Sequence, residues 1–201
     1  MLRAITALLI ATVSLGAVAQ APANTPVRVR GVVEKIDGQV LTVKSRTGEK
    51  MVIKLADGYT VMGIAKASIA DIASGKYIGT TTLGERNGAL VAVEVHIFPE
   101  SMRGVGEGYH DWDLRPNSKM TNANVANIAK MGRDRLITVQ YKGGEKKVLV
   151  PPTATIVAFT PTEPNVLKPG AHVFLVTRRQ PDGSLTAARV SVGLKGQVPP
   201  M

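Results

Sequence analysis

The chain contains no cysteine among its 201 residues. This absence excludes a disulfide framework, a thiolate metal site and a cysteine nucleophile. The fold must therefore be stabilised by buried apolar surface, which the many Val, Ile and Leu residues can supply.

Aromatic residues are also scarce, with one Trp, four Tyr and three Phe. Proteins that bind single-stranded nucleic acid need aromatic platforms beside a basic groove. Here the aromatic residues do not alternate with the basic ones, so we expect no sequence-specific recognition of nucleic acid. The chain also has three His, no Cys and no G-x-S-x-G motif. Because no nucleophile is paired with a base, we expect no enzymatic activity.

A long apolar run is present only at the beginning of the chain. Residues 1–19 combine one positive charge, a short apolar core and the ending Ala17-Val18-Ala19, which is typical of a secretory signal peptide. The run is shorter than the ~20 residues that span a bilayer. We therefore expect an exported protein, periplasmic or secreted, without a transmembrane segment in its mature form. Residues 20–26 are predicted to be a disordered lead-in.

Positive charge is in excess, with a formal net charge of +10 and a pI of about 10.0. In an exported protein this favours anionic partners such as lipopolysaccharide, phospholipid head groups or acidic glycans. The alternative is that the charge serves solubility alone, since the basic residues are scattered along the predicted strands. The candidate contacts for an anion or a partner protein are Arg28, Arg30, Lys44, Lys50, Lys146 and Lys147.

From Val27 onward the chain consists of short β-branched runs separated by turn dipeptides. Strands at this spacing predict an all-β barrel or sandwich. One interruption, over residues 66–75, has Ser68 and Asp71 in the arrangement of a capping box and predicts one or two helical turns. The turn dipeptides tolerate positive φ and are hairpin signals; they are Asp37-Gly38, Asp57-Gly58, Asn87-Gly88 and Asp182-Gly183.

The second half of the chain repeats the pattern of the first. LITVQYKGGEKKVLV matches LTVKSRTGEKMVIKL, and PDGSLTAARVSV matches RNGALVAVEVHI. Three pairs of turn glycines keep a separation of 95 or 96 positions: Gly48 and Gly144, Gly75 and Gly170, Gly88 and Gly183. This constant offset predicts an internal duplication with copies at 27–98 and 121–193, an ordered linker at 99–120 and a tail at 194–201.

Each copy has the plan of an OB-type barrel, which is a three-strand meander, a helical turn and a closing hairpin. We therefore predict an all-β protein of two OB-like small β-barrels, one from each copy and each with a short helical turn. A generic β-sandwich is the alternative. The segment TNANVANIAKM taken alone could form a helix, but its counterpart VRVRGVVEKI predicts a strand.

Several segments of the chain resemble a known group of proteins. GVVEKIDGQVLTVK, NGALVAVEVHIF, FPESMRGVGEGYHDWDLRPNSKMTNA and LVPPTATIV are similar to segments of uncharacterised bacterial exported proteins that carry repeated OB-like β units. The resemblance covers most of the chain after residue 19, and it implies the same barrels and an envelope location. Some members are labelled as metal-transporter permeases, which implies a connection with metal, although this sequence lacks the several membrane helices of a permease.

The central stretch concentrates residues that could bind a metal ion. The candidate ligands are Glu94, His96, Glu107, His110, Asp111 and Asp113. Carboxylates and imidazoles on a loop can surround a divalent ion. The positions that match Glu94 and His96 in the second copy hold Arg189 and Ser191, so this site would belong to the first copy alone. The alternative is a packed linker, in which Trp112 lies in the groove between the barrels and the acids face water.

The sequence therefore predicts a non-enzymatic exported envelope protein that binds an anionic ligand or a partner protein. The alternative prediction is a periplasmic metal-binding protein that uses the acidic, histidine-containing linker. The first prediction requires no cofactor, and the second requires a divalent ion.

Overall fold

A computed structural model describes residues 26–201, and most of these residues lie in β-strands. The predicted signal peptide and most of the lead-in lie outside these residues. The strands are β1 (Pro26–Asp37), β2 (Val40–Ser45), β3 (Lys50–Lys66), β4 (Tyr77–Arg86), β5 (Ala89–Ile97), β6 (Gly108–Asp111), β7 (Lys119–Met131), β8 (Asp134–Tyr141), β9 (Gly144–Val150), β10 (Thr155–Pro161), β11 (His172–Arg179) and β12 (Leu185–Gly193). The prediction of an all-β fold is confirmed.

Helical structure in this part of the chain is limited to four 3-10 turns: Ile69–Asp71, Glu100–Met102, Pro164–Val166 and Leu194–Gly196. The first of them lies where the capping box predicted a helical turn, and the carboxylate of Asp71 accepts a hydrogen bond of 2.7 Å from the Ser68 N–H. TNANVANIAKM lies in strand β7, as its counterpart predicted. Within residues 26–201, no helix has the length and apolar character needed to cross a bilayer.

Three of the four turn dipeptides join antiparallel strands as predicted, at Asp37-Gly38, Asn87-Gly88 and Asp182-Gly183. The prediction of a turn at Asp57-Gly58 is wrong, because β3 continues through it as a single strand of 17 residues. On β12, Ala187 pairs with Leu55 of β3 and Arg189 pairs with Thr60. Four residues of β3, including the dipeptide, therefore lie opposite one residue of β12 and form a bulge instead of a hairpin. A positive φ of 67° at Gly58 is as compatible with a bulge as with a turn.

The strand pairings close two five-stranded barrels. The first barrel has the order β1-β2-β3-β12-β11 and closes where β11 pairs with β1. The second barrel has the order β7-β8-β9-β5-β4 and closes where β4 pairs with β7. Each barrel has one parallel contact, which joins β3 to β12 in the first and β5 to β9 in the second. Strand β10 lies between the barrels, antiparallel to β3 and parallel to β5.

Each barrel combines strands from both halves of the chain. The meander β1–β3 is closed by the hairpin β11–β12, and the meander β7–β9 is closed by the hairpin β4–β5. The pairings therefore differ from the predicted division into one barrel at 27–98 and another at 121–193. The two halves have the same strand pattern. The closing hairpin of either half could therefore pair with the edge strands of either meander. The sequence pattern alone could not distinguish these two arrangements.

The apolar side chains form three clusters. One cluster fills each barrel, with residues such as Val43 and Leu175 in the first and Val95 and Ile137 in the second. The third cluster lies around β10 and contains most of the aromatic side chains, whereas only a partly buried tyrosine packs against each barrel cluster. Its stacked pair, Phe98 and Phe159, has ring centroids 5.1 Å apart. Burial of apolar area contributes ~25 cal/mol per Å². Because aromatic side chains bury the largest area, each of them stabilises the contact between the barrels more than a smaller side chain would.

Candidate functional site

Two of the predicted metal ligands, Glu94 and His96, form a buried pair on β5. Alternation along the strand directs them away from the core of the second barrel, where Val95 packs. That outer face is covered, since Glu94 is 1% and His96 4% exposed. One carboxylate oxygen of Glu94 lies 2.7 Å from His96 Nδ1, and the other accepts a hydrogen bond of 2.7 Å from the Thr81 hydroxyl. Both oxygens of Glu94 are therefore engaged by the protein itself.

The opposite side of the His96 ring is enclosed by its neighbours. A Cβ at Gly79 would lie 1.9 Å from His96 Nε2 and 2.4 Å from the side-chain oxygen of Asn122, so only glycine fits there. The ring also makes edge-on contacts with Phe98 and Phe159, at centroid distances of 4.8 Å and 5.6 Å. These contacts give His96 a packing role in the contact between the barrels.

The remaining predicted ligands lie on the connector between β5 and β7, and each has a separate partner. Glu107 accepts a hydrogen bond of 2.9 Å from the backbone N–H of Lys142. Asp111 pairs with Lys119, whose hydrogen bond and charge hold the pKa of Asp111 below its usual value. Nowhere in residues 26–201 are three His, Asp or Glu side chains arranged to hold a metal ion.

Asp113 and His110 lie beside Trp112 against the first barrel. Asp113 accepts a hydrogen bond of 2.6 Å from Arg30. Burial raises the pKa of Asp113, but the hydrogen bond and charge of Arg30, with the charge of Arg28, outweigh it and leave this pKa low. Burial and the charge of Arg28 lower the pKa of His110. The structure thus brings only Glu94 and His96 into direct contact and does not gather the six predicted ligands into one site. The six are Glu94, His96, Glu107, His110, Asp111 and Asp113.

Trp112 is partly buried against the third apolar cluster, as the packed-linker alternative predicted. The guanidinium of Arg28 lies 4.1 Å from the centroid of the indole ring, which is a cation–π distance. Phe174 lies on the same cluster, with its ring centroid 6.4 Å from that of Trp112. The connector is therefore attached to the first barrel through one aromatic side chain and two arginines.

Most of the residues predicted to contact an anion instead contact other side chains of the protein, or lie apart from any cleft. Arg28 and Arg30 contact Trp112 and Asp113, and Lys50 lies 3.9 Å from Glu34. The ammonium of Lys146 lies 4.5 Å from the ring centroid of Tyr109, and Lys147 is exposed on the second barrel. Of the six residues Arg28, Arg30, Lys44, Lys50, Lys146 and Lys147, Lys44 alone lines one of the clefts described next.

Two adjoining clefts lie on the first barrel and share His172, the first residue of β11. The larger, of about 510 Å³, lies between the loop 165–171 and the turn 193–196 and includes Lys168 and Lys195. The smaller, of about 170 Å³, lies where β1, β2 and β11 meet and includes Lys44 and Arg46. We call them the large lobe and the small lobe of the His172 cleft.

The lining of the His172 cleft is strongly cationic. It contains four Lys or Arg side chains and no Asp or Glu. Lys44, Lys168 and Lys195 form no ion pair within the part of the chain that the structure describes. Burial and the nearby charge of Arg30 lower the pKa of Arg46, which indicates crowding of positive charge. Such a surface attracts anions.

The backbone of the turn after β12 shapes one wall of the large lobe. Lys195 has a φ of 50°, in the left-handed region that a non-glycine residue rarely adopts. A Cβ at Gly193 would lie 1.6 Å from the carbonyl oxygen of Gln197, so the chain can fold back this closely only at glycine. Residues held in uncommon backbone conformations often occur at functional sites.

Sequence reasoning missed four of the five charged or titratable residues of this cleft, namely Arg46, Lys168, His172 and Lys195. They lie in three separate parts of the chain, and each follows or precedes a turn. The only local signal is a lysine beside glycine or proline in KPGAH and GLKG. Their proximity depends on the pairing of the β11–β12 hairpin with the meander β1–β3, which the sequence did not indicate.

Comparison of the chain with protein-family models, curated proteins and solved structures finds no match. The resemblance to exported proteins with repeated β units therefore stays an expectation from sequence motifs. The His172 cleft is the site whose chemistry points to a function.

Proposed function

We propose that this protein is a non-enzymatic, exported binding protein of the cell envelope that holds an anionic ligand or an acidic partner in the His172 cleft. One observation carries the proposal: four cationic side chains line two adjoining lobes that contain no carboxylate. Cations without counter-ions in a concave surface favour the entry of an anion.

The energetics of such a site are adequate for reversible binding. A charge-assisted hydrogen bond contributes about 1.5–3 kcal/mol. Two or three such contacts contribute about 3–9 kcal/mol, which must exceed the loss of translational and rotational freedom on association. Weak, reversible binding is therefore expected, which suits a binding or adaptor protein.

Non-enzymatic binding is supported by the state of the one hydroxyl beside His172. Ser45 lines the small lobe, and its hydroxyl lies 2.8 Å from that of Thr47 and accepts a hydrogen bond of 3.0 Å from the Glu49 N–H. Nucleophilic catalysis requires a hydroxyl in hydrogen-bond contact with a base. Ser45 is directed to its own turn instead of to the imidazole.

We further infer that the two barrels are OB-like units that arose by internal duplication. Support comes from the order of the pairings, which is the same in both barrels and includes one parallel contact in each. A register shift also occurs at matching places, between Val33 and Lys35 on β1 and between Val125 and Asn127 on β7. In this arrangement the copies at 27–98 and 121–193 exchange their closing hairpins.

The test of the anion-binding proposal compares vesicles of anionic and neutral lipid and measures binding as salt is raised. The cleft variant is Lys168→Ala/Lys195→Asn, since asparagine tolerates the left-handed backbone at position 195. The control, Lys130→Ala/Lys147→Ala, removes the same charge from the second barrel. We expect binding to anionic vesicles only, a steep fall with salt, and a loss of about tenfold or more for the cleft variant alone. Equal losses for both variants, or binding indifferent to salt, would refute the assignment to this cleft.

A further inference from the structure

The two lobes of the His172 cleft are neighbours on the first barrel. Both include His172 in their lining. Lys168 and Lys195 lie on the large-lobe side, and Lys44 and Arg46 lie on the small-lobe side. A ligand long enough to occupy both lobes would therefore have cationic residues available in each of them.

His172 itself is available to such a ligand. Its side chain is half-buried and has no hydrogen-bond partner within residues 26–201. The matching position on the second barrel is Tyr77, because Tyr77 pairs with Asn124 on β7 as His172 pairs with Val32 on β1. The Tyr77 hydroxyl, in contrast, donates a hydrogen bond of 3.2 Å to the carbonyl of Val105.

The lining also limits the chemistry of the ligand. Apart from His172, neither lobe contains an aromatic side chain, and the remaining walls are mainly Gly, Pro, Ala, Val and Leu. Nucleobases bind by stacking on aromatic platforms, which these walls do not offer. Lysine is an effective phosphate ligand because its ammonium acts as a compact point charge. A chain of phosphate groups without bases meets both conditions.

We propose that the His172 cleft binds a linear phosphate chain, either inorganic polyphosphate or a phosphodiester polymer without bases. The chain lies across His172 and places anionic groups in both lobes. This inference rests on the proposed function and adds the ligand class. Once one lobe is occupied, binding in the other becomes intramolecular and benefits from a high effective concentration.

The test is calorimetric titration of the full chain with orthophosphate, pyrophosphate, tripolyphosphate and longer polyphosphate at fixed ionic strength. We expect affinity per molecule to rise by about tenfold or more once the chain is long enough to reach both lobes. Lys168→Ala removes a large-lobe cation and Lys44→Ala removes a small-lobe cation. Each should abolish most of the length-dependent gain, while orthophosphate, which can still occupy the intact lobe, loses little.

The double variant Lys44→Ala/Lys168→Ala provides the sharper criterion. For long chains, the loss of binding free energy in the double variant should differ from the sum of the losses in the two single variants. For orthophosphate, it should be close to that sum. The control Lys130→Ala/Lys147→Ala should keep the full gain with length. Circular dichroism of each variant checks that the fold is retained, since Lys44 and Lys168 are both exposed.

The outcomes separate this inference from the proposed function. If orthophosphate binds and the cleft variants weaken it, but chain length brings no gain, the phosphate-chain inference is overturned and anion binding stands. If no phosphate binds and anionic vesicles do not bind either, both proposals fail. Single-stranded DNA that binds tighter than polyphosphate of equal charge also overturns the inference, because it would require base contacts. A polyglycerophosphate arm beside the inorganic one distinguishes the two sources of the ligand; either result supports the shared chemistry.

Discussion

The outer faces of the two barrels carry different side chains at matching positions of the same strand arrangement. On the second barrel, Gly79 pairs with Asn122 and leaves room for the buried pair of Glu94 and His96. At the matching place on the first barrel, Phe174 pairs with Arg30. A large ring thus replaces a glycine, and a cation replaces an amide, on the same backbone framework.

The segment that follows each barrel's closing hairpin also differs. After β5, the carbonyl of Val105 accepts hydrogen bonds from the Tyr77 hydroxyl and the Asn122 amide, at 3.2 Å and 3.1 Å, so the connector covers the second barrel. After β12, Arg46 donates a hydrogen bond of 2.7 Å to the carbonyl of Pro199. The large and small lobes remain open beside that contact. The connector thus closes this side of the second barrel by packing, whereas the first barrel keeps an open cleft, to which we assign anion binding.

The largest expected effect comes from cutting the chain between the two halves. We replace residues 115–117, which are exposed, with a specific protease site and cleave the folded protein. Because each barrel contains strands from both fragments, the cleaved protein should elute as one species with unchanged circular dichroism. The fragments should separate only under denaturing conditions. Two folded fragments that separate in native buffer would contradict the exchange of hairpins.

A smaller effect distinguishes the buried Glu94–His96 pair of the second barrel from the matching, also buried, position Ser191 on the first. His96→Ala leaves one oxygen of the buried Glu94 carboxylate without its partner and removes the ring contacts with Phe98 and Phe159. We expect a loss of about 3–5 kcal/mol in the free energy of unfolding. The matched variant on the first barrel, Ser191→Ala, should cost less than about 1 kcal/mol. Urea unfolding measures both, and equal losses would mean that the two faces do not differ in this way.

The smallest effect concerns the attachment of the connector to the first barrel. Because the folded-state pKa of Asp113 is below its usual value of 3.8, ionised Asp113 stabilises the fold above that pH. This contribution is lost as the pH falls through the lowered pKa. Asp113→Asn should therefore reduce stability at pH 7 by less than about 1 kcal/mol, because the side chain is half-exposed and its ion pair is screened. The free energy of unfolding of the original protein and of Asp113→Asn, measured at neutral and at strongly acidic pH, tests this. A difference between the two proteins that persists in acid would contradict it.

Local pattern was sufficient to predict much of the fold. The β-branched runs predicted the strands, and three turn dipeptides marked hairpins. Such features depend on neighbours in sequence, and a strand period of two or a positive φ determines them. The bulge at Asp57-Gly58 shows the limit, since the same dipeptide suits a turn or a continuous strand.

Features that depend on distant residues could not be predicted in this way. Each meander could pair with the closing hairpin of its own half or with that of the other half, and no local pattern distinguishes these two pairings. The His172 cleft follows from that choice, because it unites the end of β2 with the residues that flank β11 and β12. The structure does not gather the predicted metal ligands into one group within residues 26–201. Nearness in sequence did not show that Asp111 and Asp113 each pair with a cation.

The central claim is that anions bind at the open face of the first barrel. Backbone amide NMR of the labelled protein, titrated with tripolyphosphate, tests it most directly. We predict that chemical-shift changes concentrate at residues 168–172 and 194–196 and around Lys44, and that they saturate. Changes centred instead on Lys130, Lys146 and Lys147 of the second barrel, with the His172 cleft unaffected, would contradict the account.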